Sequence, residues 1–129
     1  MLGRVLIVED HPTMREAVRL MLEPEGLIVF EATDGLAAIE SVRRDAPQVV
    51  LLDLGIPGLS GTEVLRHLKA DPATASIPVI VLTATGEEAK QEVLALGATA
   101  FFMKPFSPAA LLRTVASALG EPGGAGSSP

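Results

Sequence analysis

Glu9 and Asp10, Asp53, Thr83 and Lys104 each follow directly on a short apolar run. Three carboxylates brought to one place repel, so either one keeps a proton or a cation neutralises them. An all-oxygen, carboxylate-rich site favours a hard divalent ion, and Mg2+ is the abundant choice. Mg2+ dehydrates reluctantly, so one or two carboxylates, a backbone carbonyl and waters are the expected ligands. With the acids holding metal, Lys104 is a point cation suited to an incoming phosphoryl group. The Thr83 hydroxyl can donate to a phosphoryl oxygen. Asp53 is the best nucleophile of the set, and an acyl phosphate on Asp is known covalent chemistry.

These residues can meet only if the chain folds so that the ends of its apolar runs converge. The runs are Val5-Leu6-Ile7-Val8, Leu27-Ile28-Val29-Phe30, Val49-Val50-Leu51-Leu52, Val79-Ile80-Val81-Leu82 and Ala100-Phe101-Phe102-Met103. The first four are continuous rather than alternating, which predicts strands buried on both faces in a parallel sheet. The gaps between them are long enough for crossover helices. Pro12 suits a first helical turn, with Ala17, Val18, Met21 and Leu22 as its apolar stripe. Met14, Leu20 and Met21 are read as mostly core. Asp34-Gly35 precedes Leu36, Ala37, Ile39 and Val42. Ser60-Gly61-Thr62-Glu63 and Thr85-Gly86-Glu87-Glu88 match capping boxes. Gly97 reads as a helix stop. Ser107-Pro108 opens a last helix with Leu111, Leu112, Val115 and Leu119 on one side.

The pattern is (βα)5, an α/β doubly wound parallel sheet. Right-handed crossovers put helices on both faces, and the functional crevice lies at the carboxyl ends of the strands. If the strand order is 2-1-3-4-5, the second strand, ending in Glu31-Ala32-Thr33, lies away from the cluster.

At 129 residues and 13.4 kDa the chain suits one domain. Residues 1–120 are read as that domain and 121–129 as a flexible tail or linker stub. The absence of cysteine excludes disulfides, thiol catalysis and thiolate metal sites. Two histidines are too few for a His-rich zinc site. His11 is one ligand at most, with a surface or helix-entry role favoured, and His67 is expected to be exposed. A net charge of −6 argues against direct nucleic-acid binding. No apolar run approaches a membrane span or a signal-peptide core, so a soluble cytoplasmic protein is expected.

The set Glu9-Asp10, Asp53, Thr83-Ala84 and Lys104-Pro105-Phe106 resembles the receiver domain of two-component response regulators. Asp53-Leu54-Gly55-Ile56-Pro57-Gly58 through Gly61, and Gly97-Ala98, support the resemblance, which spans residues 3–119. It implies a flavodoxin-like fold. It implies Asp53 as acceptor of a phosphoryl group from a histidine kinase or histidine phosphotransfer protein. Mg2+ would sit on Asp10, Asp53 and the backbone carbonyl of Gly55, with Glu9 acting through water. Lys104 would contact the phosphoryl group, Thr83 and Phe101 would form a switch pair, and the Lys104–Pro105 bond would be cis. Such a domain is a signalling switch with self-phosphorylation and autodephosphorylation chemistry, not a classical enzyme.

The first helix starts beside the crevice, so His11, Pro12, Met14 and Arg15 are the expected kinase-docking residues. Output is expected from the face of the fourth helix, fifth strand and fifth helix, around Lys90, Gln91 and Val93. Its target would be an effector domain, an output partner or a second copy of the chain. Three departures stand out: Glu9 where many relatives have Asp, Gly55 with no side chain to shield an acyl phosphate, and Phe101 in place of the commoner Tyr.

Other functions fit less well. A haloacid-dehalogenase-like phosphohydrolase wants a second Asp two residues after the nucleophile, where Gly55 stands, and a cap insertion. A phosphorylation-independent adaptor commonly lacks the phosphoacceptor, the lysine or the acid pair, and all are here. A flavodoxin-type carrier needs a phosphate loop after the first strand and flavin-stacking aromatics. Gly55, Gly58 and Gly61 do not form GxGxxG, so they read as turn glycines.

Overall fold

A computed structural model of the chain describes residues 2–84 and 86–120. The order is β1 (Gly3–Val8), α1 (Pro12–Leu22), a 3-10 turn (Glu23–Glu25), β2 (Leu27–Ala32), α2 (Gly35–Asp45) and β3 (Val49–Leu52). Then follow α3 (Gly61–Ala70), β4 (Val79–Thr83), α4 (Glu87–Ala95), β5 (Ala100–Met103) and α5 (Pro108–Ala118). All strand pairs are parallel, as the spacing predicts, and the sheet order is β2-β1-β3-β4-β5, as expected. Val8 lies beside Leu52, and Leu52 beside Val81. The carboxyl ends of β1 and β3 are therefore level, and β4 continues two residues further, to Thr83.

Alternate residues of each strand feed two separate cores. Leu6, Val8, Val50, Leu52, Val79 and Val81 pack with Ala38 and Val42 of α2 and Val64, Leu65 and Leu68 of α3. Val5, Ile7, Val49, Leu51, Ile80 and Leu82 pack with Val18 and Leu22 of α1 and Leu111 and Val115 of α5. Two apolar layers require apolar residues on both faces of a strand, which is why β1, β3 and β4 read as unbroken runs.

β2 departs from that expectation. It pairs only with β1, and Ile28 is 59% exposed. An edge strand has no neighbour to cover its outer side, so its apolar run does not imply burial on both faces. Ion pairs hold it instead. Arg15 Nε lies 3.5 Å and Arg19 Nε 2.8 Å from the Glu31 carboxylate, tying α1 to the edge.

The helical stripes are also narrower than expected. Val18 and Leu22 set the buried side of α1, with Met14 and Met21 half-buried against the same core. Leu20 lies two residues, or about 200°, from Val18 and is 59% exposed; Ala17 is exposed as well. Leu36 stands likewise about 200° from the buried Ala38 and faces solvent. These positions are apolar but do not belong to the core.

The helix entries follow local chemistry. The Asp34 carboxylate accepts from the Ala37 amide at 2.8 Å. Ser60 and Glu63 form the reciprocal capping box. The Ser107 hydroxyl accepts from the Ala110 amide. Gly97 follows α4 in the left-handed region at φ +107°. At α4 the N-cap is Gly86, with no side-chain cap; Thr85, the expected capping hydroxyl, lies outside the described residues, as does the expected tail. Lys69 Nζ donates to the carbonyls of Ala75 and Ile77, fixing the loop that leads into β4, and burial pushes its pKa below the ordinary lysine value.

Gly61 opens α3 against the loop that follows β3. A Cβ there would meet Leu54 Cα at 2.5 Å and the Asp53 carbonyl oxygen at 2.6 Å. A Cβ on Gly55 would meet nothing within 4 Å. Gly61→Ala is therefore expected to lower the unfolding free energy by about 2 kcal/mol, because backbone must shift. Gly55→Ala should change it by about 0.5 kcal/mol or less. Urea unfolding of both variants checks this, and equal costs would contradict it.

Candidate functional site

Backbone pairing continues past the ends of the strands. The Glu9 amide donates to the Ala32 carbonyl, the Asp53 amide to the Val8 carbonyl and the Lys104 amide to the Thr83 carbonyl. The ladder thus extends to the candidate residues Glu9, Asp53 and Lys104, which sit on the edge of the sheet rather than on free loops. Glu9, Asp53 and Thr83 are 3%, 7% and 2% exposed. All five residues singled out by type and spacing meet at the carboxyl edge, while β2 contributes none.

The charges are arranged around Lys104. Its Nζ lies 2.7 Å from Glu9 Oε1 and 3.6 Å from Asp53 Oδ2. Glu9 Oε2 accepts from the His11 amide at 3.2 Å, with His11 Nδ1 at 3.3 Å. Asp53 Oδ1 accepts from the Gly55 amide at 3.3 Å. Arg15 Nη1 donates to the Glu9 carbonyl oxygen at 3.2 Å, so this guanidinium holds the acidic turn and also pairs with Glu31.

Asp10 is different. Its Oδ1 is buried and has no hydrogen-bond partner; His11 Nδ1 stands 3.4 Å away. The lysine therefore pairs with two of the three carboxylates, and one buried oxygen is left over. A buried oxygen without a donor is costly, and a cation relieves it. Donor atoms of Glu9, Asp10, His11 and Asp53 all lie within 4.8 Å of one another. Ligands about 2.1 Å from one ion stand about 3 Å apart when adjacent and about 4.2 Å when opposed. The donor set fits a divalent ion without large movement.

Thr83 ends β4 opposite Met103, and Phe101 pairs with Val81. The pleat therefore puts Thr83 and Phe101 on the same face of the sheet, one pair apart. Phe101 is half-buried and packs against the Leu6–Val8–Leu52 core; Phe102 points to the other layer, edge-on to Phe106 at 6.3 Å. The Lys104–Pro105 peptide is cis.

The expected docking residues lie at the entry of α1: His11 and Pro12 are exposed, Met14 and Arg15 half-buried. The expected output face needs one correction. Val93 is fully buried in the α3-side core and cannot meet a partner. Lys90 is half-buried and Gln91 exposed, and the apolar groups open to solvent there are Leu94, 41% exposed, and Met103, 48% exposed. Sequence reading missed both. Their signal was positional, since Met103 ends an edge strand and Leu94 lies about 100° from the buried Val93. His67 is exposed on α3.

The sequence profile of the response regulator receiver domain matches residues 5–116. This chain belongs to that family. The receiver is 40% identical over 116 residues to the phosphate regulon transcriptional regulatory protein PhoB of Escherichia coli K12, covering 89% of this chain and 51% of that protein. It is 37% identical to the transcriptional regulatory protein CseB of Streptomyces coelicolor, over 95% of this chain and 51% of that one. The receiver spans about half the length of these curated relatives.

Solved structures agree. A CheY-like response regulator receiver domain protein from Methanospirillum hungatei JF-1 superposes with a TM-score of 0.86 at 28% identity, covering 94% and 96% of the two chains. The receiver domain of sensor histidine kinase PA1611 from Pseudomonas aeruginosa PAO1 has a TM-score of 0.84 at 30% identity, covering 93% and 99%. That structure holds a magnesium ion in its active-site cleft. Family membership makes this chain a two-component signalling domain, with phosphorylation-dependent signalling as its implied role. Among the described residues, no helix is long and apolar enough to cross a membrane.

Lys104→Met leaves the buried Glu9 carboxylate without its cation. The variant is expected to lose about 3 kcal/mol of unfolding free energy in metal-free buffer, since breaking a buried pair strands a charge. Urea melts with and without Mg2+ should show a larger metal stabilisation in the variant than in wild type. Equal metal-free stability of the two would contradict the pairing.

Proposed function

We propose that this receiver is a phosphorylation-dependent switch in which Asp53 accepts a phosphoryl group from a histidine kinase or a histidine phosphotransfer protein. One observation carries the reading: Asp53 is buried on the central strand, with Lys104 on one side and the orphaned Asp10 oxygen on the other. Asp10, Asp53 and the carbonyl of Gly55 would hold Mg2+, with Glu9 taking part through water. When bound, Mg2+ supplies charge neutralisation of the carboxylates and of the phosphoryl oxygens.

The residues then divide the work. An Asp53 carboxylate oxygen attacks phosphorus, forming a P–O bond as the P–N bond of the phosphohistidine breaks. The electron pair of that bond leaves with the imidazole, which takes up a proton. Lys104, already 3.6 Å from Asp53 Oδ2, exchanges its Glu9 partner for a phosphoryl oxygen. Hydrolysis removes the group: water attacks phosphorus, the P–O bond to Asp53 breaks, and inorganic phosphate and the Asp53 carboxylate are released. Gly55 offers no side chain against that water.

Thr83 carries the signal outward. A phosphoryl oxygen gives its hydroxyl a charged acceptor, and an inward move leaves room for the Phe101 ring. One charge-assisted hydrogen bond is worth about 1.5–3 kcal/mol, enough to shift a two-state population roughly ten- to a hundredfold. The face of α4, β5 and α5, with Lys90, Gln91, Leu94 and Met103, would then change its affinity for an effector domain, an output partner or a second copy. His11, Pro12, Met14 and Arg15 would meet the kinase. Residues 1–120 form the receiver in this reading, acting in the cytoplasm, with 121–129 as tail or linker.

Incubation with Mg2+ and acetyl phosphate should raise the intact mass by one phosphoryl group, about 80 Da. Asp53→Asn should abolish the gain and a chelator should slow it strongly; full labelling of Asp53→Asn would sink the assignment. Thr83→Ala should still accept the group but lose the response. Amide spectra with and without a phosphoryl mimic should change along α4 and β5 in wild type only, and identical changes in Thr83→Ala would refute the coupling.

A further inference from the structure

His11 stands directly after the acid pair and before Pro12. A residue preceding proline is driven out of the helical region, and His11 adopts φ −81°, ψ 117° as the N-cap of α1. That backbone turns its ring back over the crevice. Nδ1 lies 3.3 Å from Glu9 Oε2 and 3.4 Å from Asp10 Oδ1, between the two carboxylates. The ring is 75% exposed, and among the described residues these two acids are its polar side-chain contacts. Beside it is the one buried side-chain oxygen, Asp10 Oδ1, found without a partner among the described residues.

We propose that His11 is a fourth donor of the metal cleft, and that through it the receiver binds a borderline transition ion such as Ni2+ or Zn2+ more tightly than a carboxylate-only cleft would. The inference rests on the reading of Asp10 and Asp53 as metal ligands. Its physical basis is ligand preference. Carboxylate, carbonyl and water suit Mg2+, whereas neutral imidazole suits Zn2+, Ni2+ and Cu2+. The 3.4 Å separation of Nδ1 from Asp10 Oδ1 is near the spacing of about 3 Å for adjacent ligands on one ion. Coordination uses the Nδ1 lone pair, so the ring proton resides on Nε2 and the Nδ1 bond to Glu9 gives way. Glu9 keeps the Lys104 ammonium and the His11 amide as partners. Mg2+ gains little from the ring because it favours oxygen and retains its waters.

Calorimetric titration of Mg2+ and of Ni2+ into the purified receiver tests this, using wild type, His11→Gln, Asp10→Ala and His67→Gln. His67 is the second histidine, exposed on α3, and controls for adventitious imidazole binding. His11→Gln should weaken Ni2+ binding by about tenfold or more. Its Mg2+ affinity should stay within about twofold of wild type, as for a lost donor that Mg2+ does not prefer. His67→Gln should match wild type with both ions, and Asp10→Ala should weaken both. Unchanged Ni2+ affinity in His11→Gln, or an equal loss of Mg2+ affinity, would overturn the proposal. Failure of wild type to bind Mg2+ would instead overturn the metal reading on which it rests.

Discussion

One lysine against three carboxylates is the constraint on which the site depends. Glu9 and Asp53 are nearly buried, and Lys104 spans them at 2.7 and 3.6 Å. Asp10 completes an excess of negative charge that the protein does not neutralise by itself. Such a cluster would be destabilising at a random place in a core. It is tolerable at the edge of a stiff sheet whose backbone pairing carries past each strand end. Strand register, the paired strand ends and the close approach of Gly61 all hold the charges where a cation and a phosphoryl group can relieve them.

The same electrostatics links resting and phosphorylated states. Lys104 without a phosphoryl group is engaged by Glu9 rather than exposed to solvent. Transfer to Asp53 would offer it a stronger anion and offer Thr83 a new acceptor. The two sides of the proposed switch would therefore differ in which oxygen each donor serves, and such differential contact is what a population shift requires. Phe101 lies on the same face as Thr83 and, having no hydroxyl, would respond by packing alone.

Much of this was legible in the chain. The continuous runs at β1, β3 and β4 reported burial on two faces, and the residue after each reported the site, because in a parallel sheet both follow from strand direction. Ser60 with Glu63, Asp34 and Ser107 reported helix entries because capping is local chemistry. Exposure was not legible in β2, whose apolar run looks like those of the inner strands although Ile28 is exposed. Helix rotation was not legible at Leu20, Leu36 and Val93, since apolar character does not say which side meets the core. The His11 ring between two carboxylates depends on the turn that Pro12 imposes, which residue types alone do not show.

The central claim is that Asp53, and no neighbouring group, takes the phosphoryl group. Borohydride reduces an acyl phosphate on aspartate to homoserine. The receiver should be phosphorylated in Mg2+, reduced, digested and its peptides sequenced by mass spectrometry. The account predicts homoserine at position 53 alone. Homoserine at position 10, reduction at Glu9, or a stable phosphoryl group on His11 with Asp53 unmodified would contradict it.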